Sequence, residues 1–164
     1  MDICESFKPS INKNSKILIL GSMPGVKSLE EHQYYAHPQN RFWKVMAEIC
    51  NTPDLHNYDY KNKLNTLLSN NIALWDTIKS CTRTGSLDSN IINETPNDIK
   101  SLLEKYPNIK IICLNGNKSF SAFKKYNPNL MEKYTCYKMP STSPANARFS
   151  LEKLIQEWKI IQNR

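Results

Sequence analysis

Four short apolar runs constrain this chain more than any other feature: residues 17–20 (ILIL), 72–75 (IALW), 109–114 (IKIICL) and 134–139 (YTCYKM). Each is too short for a buried helix and rich in β-branched or aromatic residues, so each reads as a strand. Their near-continuous apolar character suits strands covered on both faces, and the long, mostly helical spacers suit crossover connections between parallel neighbours. The expected fold is therefore α/β, a three-layer α/β/α arrangement around a central, mainly parallel four-stranded sheet, with residues 1–164 forming one domain. Helix signals fall between the runs. Thr95 and Pro96 read as N-cap and first turn ahead of Ile99, Leu102 and Leu103, and Gly116-Asn117 precedes Phe120 and Phe123. A helix is expected over 44–50. Ser150 is placed to cap a last helix in which Leu151, Leu154, Ile155, Trp158 and Ile161 share one face.

The residues that interrupt this pattern all fall at one edge. GSMPG (21–25) follows the first strand, Asp76 the second, Asn115-Gly116-Asn117 the third and PSTSPANA (140–147) the fourth. These are strand C-termini, where open α/β sheets bind ligands. One pocket assembled from the four segments is the expectation.

Charge adds a second asymmetry. Residues 1–99 carry ten Lys/Arg against eleven Asp/Glu, whereas residues 100–164 carry twelve against four, so the formal net charge of +7 is C-terminal. Such a distribution fits a phosphate-binding face, and equally a set of solvated lysines. No apolar run approaches the roughly 20 residues of a membrane span, and the opening MDICESFKPS lacks a signal-peptide core, so a soluble cytoplasmic protein is expected. The five cysteines are scattered and never spaced as CxxC, which predicts reduced thiols and neither a disulfide framework nor a metal site.

Two glycines and a proline in GSMPG make a turn in which backbone amides can approach a ligand closely, yet GxxxxGK[ST] and GxGxxG are both absent. Tyr34-Tyr35-Ala36-His37-Pro38-Gln39-Asn40-Arg41-Phe42-Trp43 then gathers aromatics with His, Asn and Arg. Aromatic faces stack on bases, and amide and imidazole groups supply directed hydrogen bonds. Each candidate has a plain structural alternative: Asn40 as a helix N-cap, Tyr35 as a core tyrosine, His37 as an ordered loop residue, Asp76 as a cap for the turn at Thr77. In the polar stretch TRTGSLDS (82–89), Arg83 is a candidate phosphate ligand and Asp88 a helix cap or site residue, with a plain loop favoured. The NGN segment reads chiefly as a turn and helix start.

GSMPG, YYAHPQNRFW, the WD strand end and PSTSPAN occur in an order that resembles the uracil-DNA glycosylase superfamily, most closely its hypoxanthine-DNA glycosylase branch. The resemblance runs from about Ile17 to Ile161. It implies a monofunctional DNA glycosylase that hydrolyses deoxyinosine in DNA to release hypoxanthine, without cofactor or metal, acting as a monomer on DNA that contains a deaminated base. The mismatch uracil/thymine branch and a non-catalytic DNA-binding relative are the alternatives. The mismatch branch carries an Asn in the first turn where this chain has Ser22, and uracil-specific members carry a His where this chain has Met139. The resemblance accordingly shifts the water-positioning role to Asn40, with Ser22 second. It assigns base contacts to Tyr35, Asp76, Met23 and His37, and DNA contacts to Ser141, Thr142, Ser143, Pro144, Ala145 and Asn146, of which Pro144 to Asn146 would wedge into the flipped nucleotide's place.

Overall fold

The structure, a computed structural model, describes residues 2–164. In chain order its elements are β1 (Asp2–Glu5), β2 (Ile17–Gly21), α1 (Val26–Glu31), α2 (Phe42–Ile49), α3 (Tyr60–Ser69), β3 (Ile72–Asp76) and β4 (Ile78–Arg83). There follow β5 (Ile92–Pro96), α4 (Ile99–Lys105), β6 (Ile111–Asn115), α5 (Asn117–Tyr126), α6 (Pro128–Lys133), β7 (Thr135–Met139) and α7 (Leu151–Trp158).

The four expected strands form one parallel sheet in the order β3-β2-β6-β7. Period-two alternation along β2 divides the core. Ile17 and Ile19 pack with Ile72, Leu74 and Cys113 against Phe42, Met46, Leu67, Leu154 and Trp158 of α2, α3 and α7. Leu18 and Leu20 pack with Ala73, Ile112 and Leu114 against Leu102, Leu103, Phe123 and Leu130 of α4, α5 and α6. A strand buried on both faces needs apolar residues at every position, which is why ILIL shows no alternation. Ser150 caps α7, accepting from Lys153 N at 3.2 Å, and the face it starts ends in a short 3-10 turn at Ile161.

Two expectations are corrected. A second sheet, antiparallel in the order β1-β4-β5, lies beyond the four expected strands. Thr95 and Pro96 do not start α4: they end β5, where Thr95 pairs with Ser80 and Pro96 with Ile78. Proline is tolerated there because β5 is an edge strand. The cap passes to Asp98, whose carboxylate accepts from Ser101 N at 3.1 Å and from Ser101 Oγ at 2.7 Å. A carboxylate that takes both bonds is the stronger cap. All five cysteines are unbonded, and among the described residues no helix is long and apolar enough to cross a membrane.

Candidate active site

Chain order reverses between β2 and β6, since β2 leads to β3 on one side and the chain then returns to build β6 on the other. Connections diverge at such a point and leave a crevice beyond the strand C-termini. A cleft of about 830 Å³ opens there.

Its floor comes from the last residues of three adjacent strands, Asp76 of β3, Gly21 of β2 and Asn115 of β6, all lining the cleft. Gly21 is required for space. A Cβ there would come within 2.6 Å of Asp76 Oδ1 and 3.2 Å of the Tyr35 hydroxyl. Asp76 is 3% exposed, and its Oδ2 has no hydrogen-bond partner. Burial pushes the Asp76 carboxyl up to about 7; the nearby Asp88 charge adds to the rise and Arg83 opposes it.

Asn115, expected to act mainly as part of a turn, is instead a knot. Its Oδ1 accepts from Thr142 N at 3.1 Å, and its Nδ2 donates to Thr142 Oγ1 at 3.1 Å and to the Tyr35 hydroxyl at 3.3 Å. The next residue, Gly116, has a φ of 98°, and a Cβ would meet Ser141 Cβ at 3.1 Å. The loop after β7 thus sits directly on the turn after β6.

The segment after β2 supplies one wall. Tyr35 adopts a left-handed φ of 56°, uncommon outside glycine. This turns its ring onto Phe42, stacked at 3.8 Å between centroids. One face is therefore covered by Phe42, and Tyr35 lines the cleft. Burial raises the Tyr35 phenol well above its ordinary range, so the hydroxyl stays neutral. Tyr34, Phe42 and Trp43 belong to the core. His37 is exposed at the cleft, its Nδ1 accepting from Gln39 N at 3.1 Å, which leaves Nε2 to carry the proton. Asn40 lines the cleft, and its Oδ1 accepts from Phe42 N at 2.9 Å in a turn just ahead of α2, whose N-cap position is Arg41; the Asn40 Nδ2 has no hydrogen-bond partner among the described residues.

Two assignments made from the resemblance are revised, and the candidate Arg83 falls at the end of β4. Thr142 is fully buried on Asn115 and unavailable to DNA, since its hydroxyl and amide hold the loop to the sheet. Met23 lines the cleft but is 6% exposed and packs with Cys4, Ile78, Cys81 and Ala122, so its side chain is chiefly core. Arg83 is 1% exposed and donates to Pro24 O and Ser86 O; it bonds the protein's own backbone and not phosphate. Ser141, Thr142, Ser143, Pro144, Ala145 and Asn146 all line the cleft, Thr142 from a fully buried position.

Two further residues gain roles that the sequence left open. Arg41 donates from Nη1 to Phe149 O and from Nη2 to Ser143 O at 2.9 Å and Asn146 O at 3.0 Å. Its own amide donates to Thr142 O at 3.0 Å. A planar fork that satisfies several carbonyls holds a loop more firmly than a point charge does. Asp88 accepts from Ser22 Oγ at 2.6 Å, and its side chain does not cap the 3-10 turn that it begins. The rule that exposed Asp76 in the sequence, a polar residue ending an apolar run, applies equally to Asn115. Arg41 and Asp88 carried no comparable signal.

The chain belongs to the uracil DNA glycosylase superfamily, whose profile matches residues 9–162. It is similar to two proteins named hypoxanthine DNA glycosylase. The one from Methanosarcina acetivorans is 38% identical over 160 residues, 97% of this chain and 98% of that protein. The one from Methanosarcina barkeri is 39% identical over 155 residues, 94% of each chain. The solution NMR structure of a Methanosarcina acetivorans protein provisionally described as a uracil DNA glycosylase superposes with a TM-score of 0.84 at 38% identity, covering 98% of this chain and 96% of that one.

Proposed function

We propose that this protein hydrolyses the N-glycosidic bond of deoxyinosine in DNA, releasing hypoxanthine and leaving an abasic site for base-excision repair. We further propose that it does so as a cytoplasmic monomer of one domain on DNA carrying a deaminated base. The observation that carries the substrate class is the buried Asp76 carboxyl at the cleft floor, with Oδ2 lacking a partner. An unsatisfied buried acceptor is costly, and a ligand that brings a donor relieves that cost. Above about pH 7, where it is ionised, Asp76 accepts the N1–H of hypoxanthine and opposes adenine, whose N1 is itself an acceptor, whereas the protonated carboxyl favoured by burial at lower pH donates to that acceptor and loses the distinction. Discrimination of this kind leaves the wrong base with two acceptors face to face. The similarity to two proteins named for hypoxanthine supports the same choice.

In this reading an extruded purine stacks on the face of Tyr35 away from Phe42 with its edge toward Asp76, and His37 Nε2–H is available near the leaving base. Asn40 Nδ2 donates to a water and fixes one of its lone pairs, leaving another for the sugar. An amide is too weak a base to deprotonate that water, so the rate rests on charge stabilisation as the base departs from an oxocarbenium-like sugar. Ser141, Ser143 and the Pro144–Asn146 tip meet the DNA backbone and the gap left by flipping.

The test is a panel of duplexes carrying a single hypoxanthine, uracil, mismatched thymine or xanthine, incubated with the protein and then treated with alkali. Hypoxanthine release well above the others is expected, and Asn40→Ala should lose about a hundredfold or more of it, in line with the loss of a well-placed electrostatic donor, while retaining duplex binding. Preferred release of uracil or mismatched thymine would move the protein to the mismatch reading. Binding to abasic DNA without release of any base would make it a non-catalytic relative.

A further inference from the structure

Hydrolysis at this site needs a group that takes the proton of the attacking water, and neither motif supplies one. Asn40 is an amide, and the position where uracil-specific relatives carry an imidazole holds Met139, which is 5% exposed and part of the core. The structure nevertheless places a carboxylate in the cleft by a route unrelated to either motif.

Ser22, in the turn after β2, is 8% exposed, and its hydroxyl is already committed: Oγ donates to Asp88 Oδ1 at 2.6 Å. That length is typical of a hydroxyl bonded to a carboxylate. Asp88 belongs to the stretch 84–90, which is pinned to the same turn at two other places. Val26 N donates to Ser86 Oγ at 2.8 Å, and the buried Arg83 guanidinium bridges Pro24 O and Ser86 O. Asp88 is exposed, and its carboxylate is positioned before any substrate arrives by the single bond from Ser22, with the backbone around it held through Ser86, in the manner of preorganised catalysis. Asp88 lines the same cleft as Asn40 and Asp76, and its Oδ2 has no hydrogen-bond partner among the described residues.

We propose that Asp88 is the general base of this site, accepting a proton from the water that attacks the sugar, with Ser22 holding both the carboxylate and the water. The inference rests on the glycosylase reading above. The water donates one hydrogen to Asp88 Oδ2 and the other to Ser22 Oγ, whose own proton lies on Oδ1. Asn40 Nδ2 donates to one water lone pair and the other points at C1′. The C1′–N9 bond breaks with its electron pair leaving on the purine, the water oxygen bonds C1′, and the proton passes to Asp88. The purine anion takes a proton from solvent and Asp88 releases one to it, so the sum is deoxyinosine plus water to hypoxanthine plus the abasic sugar.

The experiment compares wild type, Asp88→Asn, Asp88→Ala and Ser22→Ala. It measures single-turnover base release, binding to a duplex carrying the slowly hydrolysed 2′-fluoro analogue of deoxyinosine, and release with added sodium formate. Loss of a positioned general base costs about 10²–10⁴ in rate. Both Asp88 variants should fall by about a hundredfold or more, with affinity for the analogue within about threefold of wild type and unchanged melting temperatures. Ser22→Ala should lose about tenfold, since the carboxylate remains but its orientation does not. Formate should restore release by Asp88→Ala and leave the wild type unaffected, a response that a structural role for Asp88 does not produce. Asp88→Asn within about threefold of wild type, or no rescue by formate, overturns the inference. Wild-type release of uracil instead of hypoxanthine overturns the substrate reading alone, and the same variants on that base then decide Asp88. Release of no base by the wild type overturns both.

Discussion

Asp76 shows how one side chain can be costly to the fold and useful to the site. Its carboxyl titrates at about 7 in the folded protein against 3.8 in the reference state, chiefly because burial disfavours the charged form. The folded state therefore holds a proton that the unfolded chain has already released. Stability from this group is present in full below about pH 4 and is lost as pH rises through 7, the reverse of a salt-bridged carboxylate. Over that window the loss is on the order of 4 kcal/mol as an upper bound. Asp76→Asn, which keeps the shape without the charge, is expected to be more stable than wild type at pH 8 and to match it more closely at pH 5. Urea denaturation at the two pH values tests this. A wild type that gains stability between pH 5 and 8, with the variant following it, would contradict the assignment. Asn115 and Gly21 complete the floor without such a penalty, because one is fully bonded and the other contributes only the absence of a Cβ.

At the level of elements, the site joins loops far apart in sequence, and Arg41 is the principal link. Its guanidinium holds the carbonyls of Ser143, Asn146 and Phe149, more than a hundred residues downstream. Lysine cannot reproduce this fork. Arg41→Lys should cost about 1–3 kcal/mol in denaturant unfolding, the range for leaving buried polar groups unpaired. Amide hydrogen exchange should also quicken over 140–149 while the strands remain protected. Unchanged exchange in that loop would show the clamp to be dispensable. The parallel sheet could be read because β2 and β6 are buried on both faces and so are apolar throughout. The second sheet could not. Asp2–Glu5 and Ile92–Pro96 are short, polar edge strands with mostly exposed side chains, and they are held by pairing with β4 more than by their own hydrophobicity. The cleft could be located from strand ends, and Gly21, Asn40 and Asp76 lie in it, but Arg41 and Asp88 act through contacts spanning 102 to 108 and 66 residues respectively, which no local pattern encodes.

Across the whole molecule, the C-terminal excess of basic residues is only partly directed at the cleft. Lys27, Lys118, Lys138 and Arg148 line it, but Lys27 is paired with Glu31 at 3.1 Å and Lys118 with Glu94. Lys138, which rests 5.2 Å above the Phe120 ring, and Arg148 have no carboxylate partner among the described residues and are the candidates for phosphate contact. Each phosphate contact contributes about −0.9 to the slope of log affinity against log salt for duplex DNA. Replacing both residues with alanine should reduce that slope by about 2 in magnitude and leave the order of base preference unchanged. A slope that does not move would place the phosphate face elsewhere on the protein. The network that centres on Arg41 and Asn115 has a mechanical consequence for how DNA is met. The 140–149 loop and the Tyr35–Arg41 segment are fastened to each other and to the end of β6 by buried and half-buried polar bonds, so opening one against the other means breaking several of them at once. The protein is in effect a fixed jaw, and the compliance needed to bring a nucleotide into it falls to the duplex. Flexible or weakly stacked steps beside the lesion should then be processed fastest, because they bend and unstack with the least work.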